Sequence, residues 1–472
     1  QSTEIEWQRT LGGSANDELR IIIPTSDGGY IAGGGSASGI SATKSESSIG
    51  DYDYWVIKFD VDGNTEWENT IGGNSSDILN AIQETPDGYI IAGTSYSGIS
   101  VDKTEAGLGL ADYWILKLDF DGNIVWQNTI GGSGSDDLLS IGNTSDGGFI
   151  LGGYSSSPVS GDKSNPPIGP LGYADYWLVK LNVSGGIEWQ KTIGGNNVDV
   201  CYSAEQTVDG GYILGGYSLS GATGLKADPN NGLYDYWVVK TDAAGNIEWQ
   251  NGLGGKEYDI ARKLIETTDG GYLIGGYSNS GITGDKTEAL IGIYDYWVVK
   301  LSSAGTIEWQ NTIGGTSDEY LFSLKETSDG HFLLGGYSYS GIGGDKIETT
   351  EGSADFWIVK LDVSGNIASQ EVIGGEENEY LYSINQAPDG GYIIGGQSGS
   401  NISGDKTEDN LGGWDFWVVK LESTCIPVTE TCNLVDDDCD GLVDDGILES
   451  IIITASDTTT FCKGGKVTLT AY

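Results

Sequence analysis

The chain has 472 residues, and 23 Lys and Arg against 69 Asp and Glu give it a formal charge of −46. That charge repels phosphate backbones and anionic membrane surfaces, which excludes nucleic acid as a partner. Charged residues make up only 19% of the chain while glycine reaches 76 copies and tryptophan 14, a composition that folds into a turn-rich structure rather than staying disordered. No run of about 18 apolar residues occurs, so no direct membrane insertion by a helix is expected.

In chain order, the first element is a fragment. Residues 5 to 13, IEWQRTLGG, are the end of a motif that recurs in full as GNIEWQNTIGG and its variants around Trp67, Trp126, Trp189, Trp249 and Trp309, and as GNIASQEVIGG at 365 to 375. A run such as DLLSIGNTS follows each Gly-Gly. Then comes a segment of the type DGGYILGGYS, beginning at Asp27, Asp87, Asp146, Asp209, Asp269, Asp329 and Asp389. After a long loop, a heptad of the type DYWVVKL places tryptophan at 55, 114, 177, 237, 297, 357 and 417. A period of about 60 residues announces a repeat architecture.

Each unit predicts four short strands, here called a, b, c and d, because alternating apolar and β-branched residues lie between clusters of Gly, Asn, Asp and Ser. The a–b turn (SDGG) and the c–d turn (DxxGN) supply the residues that tolerate positive φ. No helical period competes. The expected fold is all-β, a seven-bladed propeller of four-stranded blades over residues 1 to 422. The array ends on strands a, b and c, so the N-terminal strand at residues 4 to 12 is expected to complete the last blade and close the ring without an open edge.

Fourteen of the basic residues keep step with the repeat. One series lies in strand c, from Lys58 to Lys420; the other, from Lys44 to Lys406, lies in the b–c loop within SGDKTE-like segments. A carboxylate recurs four places after each Gly-Gly: Asp17, Asp77, Asp136, Asp199, Asp259, Glu319 and Glu379. Two expectations attach to these acids: an acidic ring near the axial channel that binds cations or a polar ligand, or scaffold carboxylates that pair with the lysines and cap backbone N–H groups. The loop aromatics Tyr52, Tyr234, Tyr294 and Trp414 are candidates for an exposed rim that stacks on sugar rings, since binding residues concentrate on loops held by a rigid scaffold. His331 is the sole histidine and stands where the other turns carry glycine, and no motif supplies a nucleophile with an oxyanion hole. The chain is therefore expected not to be an enzyme, and no catalytic residue is assigned.

After Leu421 the repeat stops and CIPVTETCNLVDDDCDGLVDDG follows. Asp436, Asp438 and Asp440, the Leu442 carbonyl and Asp444 fall on the ligand positions of a calcium loop, with Asp445 as a further oxygen donor. Position 12 is Ile447 rather than Glu, so the loop is not a complete EF-hand. Cys425, Cys432, Cys439 and Cys462 crowd this tail, which predicts disulfides of open pairing and an oxidising setting. The stretch resembles the MopE-like metal-binding motif, C-N-x-x-D-D-D-C-D-G, of secreted bacterial proteins, with Leu434 where that motif carries Gly. The resemblance implies a metal site; the all-carboxylate donor set favours Ca²⁺.

Residues 448 to 472 resemble the opening strands of immunoglobulin-like modules found in surface proteins of the Bacteroidota, which leaves 423 to 447 as a Cys- and Asp-rich linker. The propeller repeats themselves, DGGY then DYWVVKLD and GNIEWQ, resemble those of secreted repeat proteins of that phylum exported by the type nine secretion system. The resemblance implies an extracellular or cell-surface location, the secretion machinery and further domains as partners, and an adhesin or gliding-related role. In keeping with this, the start at Gln1 without Met is read as a mature chain after removal of a signal peptide. The leading expectation is a surface binding module with a glycan or protein partner; a structural head or spacer of a surface fibre and a carbohydrate-active enzyme are the alternatives. The full chain should bind Ca²⁺ in preference to Mg²⁺ in calorimetric titration, and Asp440→Asn should weaken that binding by about tenfold or more.

Overall fold

The computed structural model describes residues 4–423. The proposed metal ligands Asp436, Asp438, Asp440, Leu442, Asp444 and Asp445, the four tail cysteines and the immunoglobulin-like segment lie outside the described residues. The described chain forms 28 strands in seven antiparallel four-stranded sheets. Blade 1 contains strand a at Asp17–Pro24, b at Tyr30–Ser36, c at Asp53–Phe59 and d at Thr65–Ile71. The last blade takes strands a at Glu379–Gln386, b at Tyr392–Ser398 and c at Asp415–Leu421 from the end of the array, and its outer strand is Ile5–Leu11. Thr10 there stands opposite Trp417, and Leu11 opposite Phe416. The seven-bladed propeller closed by the N-terminal strand is thus the observed architecture.

The turns explain the punctuation of the sequence. Gly28 in the first SDGG turn has φ of 88° and Gly63 in the first c–d turn 74°, values that a side chain resists. These tight turns form the lower rim of the disc. The long b–c loops and the d–a connections form the upper rim.

Strands b and c of blade 1 are buried along their whole length, and in the other blades these strands are buried but for single positions such as Tyr217 and Tyr337, because both faces of each blade are covered by neighbours and alternate side chains enter opposite interfaces. Hydrophobic clusters therefore form between blades: Tyr54 and Val56 of blade 1 share one with Trp114 and Leu116 of blade 2, while Trp55 and Ile57 share another with Phe416 and Val418 of blade 7. The Tyr-Trp or Phe-Trp pair in each heptad bridges the ring. Ring centroids of Tyr54 and Trp114 are 5.1 Å apart, and those of Tyr236 and Trp297 are 4.6 Å apart. Truncating such a buried tryptophan to alanine costs about 3–5 kcal/mol. The tyrosine hydroxyl adds a polar tie, donating to the carbonyl of the next blade's tryptophan: Tyr176 to Trp237 at 2.9 Å and Tyr296 to Trp357 at 3.1 Å. Blades 6 and 7 carry Phe356 and Phe416 in its place, keeping the ring contact with Trp417 and Trp55 but not the hydroxyl.

The ladders carry two regular defects, one between strands c and d and one in strand a. Opposite strand b, Leu19 faces Gly34 and Ile21 faces Gly33, which leaves Arg20 as an extra residue, a β-bulge repeated in all seven blades. A bulge re-aims the extra side chain, here toward the ring axis. Phe356→Tyr should restore the missing inter-blade hydrogen bond and raise stability by about 1 kcal/mol in denaturant unfolding.

Candidate functional site

The seven acids that open strand a are not an exposed ring. Asp136 shows the pattern: it is 0% exposed, accepts the Gly132 N–H at 2.7 Å and the Ser157 hydroxyl at 2.8 Å, and so pins the d–a connection to the b–c loop. Asp17, Asp77, Asp199, Asp259, Glu319 and Glu379 do the same in their blades, each taking the N–H of the second glycine of Gly-Gly. The ring of carboxylates expected to face cations is buried structure, because each acid lies beneath the loop it holds.

A second buried acid opens strand c. Asp175 accepts the Ile168 N–H at 2.8 Å, and its Oδ1 makes no hydrogen bond. The first glycine of each Gly-Gly passes over such an oxygen: a methyl group on Gly72 would lie 1.9 Å from Oδ1 of Asp53. Between the acids of one blade sits the loop lysine. Lys163, nearly inaccessible, donates to Thr192 Oγ1 at 2.6 Å and holds its ammonium 5.0 Å from the centre of the Trp177 ring. Asp136 and Asp175 both act on it electrostatically. Burial, then the like charge of the next blade's first acid, pushes the strand-c carboxyls upward, Asp175 to about 6 and Asp415 to about 7. Two carboxylates therefore share one lysine in every blade. Among the described residues no group of three or more His, Cys, Asp or Glu comes together as metal ligands.

The strand-c lysines work on the opposite rim and do not meet these acids. Lys240 is bonded to Asp209 of the SDGG turn at 2.8 Å and to Glu248 of strand d at 3.0 Å. Burial works against the turn aspartates, but the ammonium outweighs it and holds Asp209 and Asp269 at about 2. His331 lies on this rim beside Asp329, 3.3 Å away. Cys201 is a free, buried thiol pushed up to about 12 by desolvation.

What remains for function is the upper mouth of the axial channel. The bulge residues Arg20, Asn80, Leu139, Tyr202, Arg262, Phe322 and Tyr382 meet there, and with neighbouring strand-a side chains they line a cavity of about 270 Å³. The four rim aromatics stand around it, but half-buried rather than exposed. Tyr234 lies between Tyr217 and Tyr258 at 4.9 and 5.0 Å. Tyr294 contacts Tyr277 and Tyr320 at 5.8 and 5.5 Å, and Trp414 contacts Tyr380 at 5.1 Å. Tyr337 joins Tyr320 to Tyr380. Arg262 joins the two halves, its guanidinium 4.3 Å from the ring centre of Tyr202 and 5.4 Å from that of Tyr277. The result is one connected aromatic belt over blades 4 to 7. Tyr52, across the mouth, hydrogen-bonds Glu18 instead.

The tyrosines at 217, 277 and 337, and those at 320 and 380, were not singled out in the sequence. They sit inside strands b and a, where an aromatic passes for core. Position-by-position comparison of the repeats is the signal that finds them: opposite one another stand Gly35 and Glu18 in blade 1, Tyr337 and Tyr320 in blade 6.

No family model matches this sequence. Over an alignment 265 positions long, which takes in 51% of this chain and 27% of the other, the sequence is 24% identical to the regulatory protein FlaEY of Caulobacter vibrioides. The chain thus spans about a quarter of that relative. Similar solved structures include the Pan2 WD40 domain of Neurospora crassa, with a TM-score of 0.47, 11% identity and coverage of 88% of this chain and 97% of that one. A protein of unknown function from Dyadobacter fermentans gives 0.45 and 9%, covering 89% and 99%; one from Bacteroides caccae gives 0.35 and 14%, covering 62% and 82%.

The buried acids dictate a pH response. Unfolded aspartates titrate near 3.9, whereas Asp53, Asp175 and Asp235 do so at about 6 and Asp355 and Asp415 at about 7 in the folded chain. Folding therefore takes up protons between about pH 4 and 7, and stability present at the acidic end is lost as pH rises through that window. The turn aspartates act oppositely, but only below about pH 4. Thermal unfolding followed by circular dichroism should give a higher midpoint at pH 5 than at pH 8, and Asp415→Asn should reduce that difference.

Proposed function

We propose that the chain is a non-enzymatic binding module of the bacterial cell surface, reached by export, that takes a glycan on the aromatic mouth of its channel. The observation that carries this reading is the belt of tyrosines with Trp414, whose ring contacts run unbroken through blades 4 to 7 of a scaffold that is otherwise repeated sevenfold. Such rings offer large, rigid faces with polar tips, the combination that stacks on a sugar and bonds its hydroxyls at little entropic cost. Two carboxylates at the mouth and channel are paired, Glu18 with Arg20 at 2.7 Å and Glu205 with Lys263 at 3.2 Å. The Ca²⁺ loop at 436 to 445 and the secretion machinery belong to the same proposal as expectations from the sequence. A head of a surface fibre is the second reading. It is favoured by the position of Ser423, the last described residue, beside Gly390 in a lower-rim turn, on the face away from the mouth.

On a glycan array, wild-type chain should retain at least one oligosaccharide. Trp414→Ala and Tyr294→Ala should each lower its affinity by about tenfold or more while leaving the thermal midpoint within a few degrees. Absence of any glycan ligand, with the full chain folded and supplied with Ca²⁺, overturns the reading.

A further inference from the structure

The cavity beneath the belt collects positive charge in a strongly negative chain. Within residues 4–423, seven basic residues stand outside the two lysine series, and four of them, Arg20, Arg262, Lys263 and Lys325, line the axial cavity of about 270 Å³. Arg20 and Lys263 have carboxylate partners, Glu18 and Glu205. Four cations against two carboxylates leave two positive charges. Arg262 donates to the Tyr277 hydroxyl at 3.0 Å and packs its guanidinium 4.9 Å from the Phe322 ring centre, with its Nε lacking a hydrogen-bond partner. Lys325 makes no hydrogen bond or ion pair among the described residues; burial and the neighbouring Lys263 push its ammonium downward. Asp137, close by in strand a of blade 3, is held by Tyr154 and raised by burial.

Half-buried like charges gathered in one cavity repel one another, and a counter-charge entering between them relieves that repulsion. The guanidinium presents a planar fork matched to carboxylate and sulfate, and its aromatic packing fixes it before a ligand arrives. We infer that the cavity holds the anionic group, carboxylate or sulfate, of an acidic sugar whose ring lies on the belt above, with Arg262 and Lys325 as its ligands. This inference rests on the glycan reading of the mouth and adds the charge of the sugar to it.

Calorimetric titration of the full chain at physiological salt with tri-galacturonate, sulfated galactotriose and neutral galactotriose tests it. At least one acidic trisaccharide should bind about tenfold or more tightly than the neutral one, and the better of the two identifies the group. Lys325→Gln should abolish that preference without moving the thermal midpoint or the affinity for the neutral sugar; Lys325→Arg should keep it. Inorganic sulfate should compete with the acidic sugar on wild type and Lys325→Arg but not on Lys325→Gln. Equal affinity for all three sugars overturns the anion site and leaves the glycan reading standing. Inorganic sulfate bound at a site lost in Lys325→Gln, with no sugar bound, overturns the glycan reading and supports the anion site. No binding of either kind overturns both.

Discussion

Everything in the ring depends on one contact made seven times, the aromatic of one blade laid against the tryptophan of the next. Tyr54 meets Trp114, Tyr113 meets Trp177, and so around to Phe416 against Trp55, which joins the last blade to the first. A blade has little interior of its own; its two faces become core only when neighbours cover them. The contact therefore sets stability and spacing together. It also explains why the heptad tolerates so little change while the loops before it differ.

Charge serves the same scaffold. A chain with this excess of acid would strain any compact state by self-repulsion, and the fold answers by burying two acids per blade around a shared lysine on the upper rim. On the lower rim a second lysine pairs with two more in five blades and with one in blades 2 and 6. Once these repeated groups are set aside, the residues that differ from blade to blade stand out: the bulge side chains and the belt around them. These differing side chains gather around one opening.

Much of this was legible in the sequence. The heptad with its alternating aromatics, the Gly-bearing turns and the strand IEWQRTL detached at the N-terminus together specify seven blades and the manner of closure. The site was only partly legible. Tyr234, Tyr294 and Trp414 could be named because they interrupt loops, whereas Tyr217 and Tyr320 lie inside strands. Arg20 and Arg262 face the axis only because of a bulge, and nothing in DELRIIIP or DIARKLIE marks the residue that the ladder skips. The acids left two readings open for a related reason. Their spacing shows that they recur, but whether a carboxylate faces water or a backbone N–H depends on a loop folding back over it, as the one carrying Ser157 does over Asp136.

Closure by the N-terminal strand has a mechanical side. Leu421 ends a strand gripped on both flanks, by Ile5–Leu11 and by Tyr392–Ser398, and the described chain continues from it at the lower rim. Tension applied there along the strand acts on both hydrogen-bonded ladders in shear, loading their bonds together, whereas an edge strand peeled from its end would lose them one at a time. A disc tethered by its last strand would resist drag on a ligand held at the opposite face, and the chain's first residues are what make that grip two-sided.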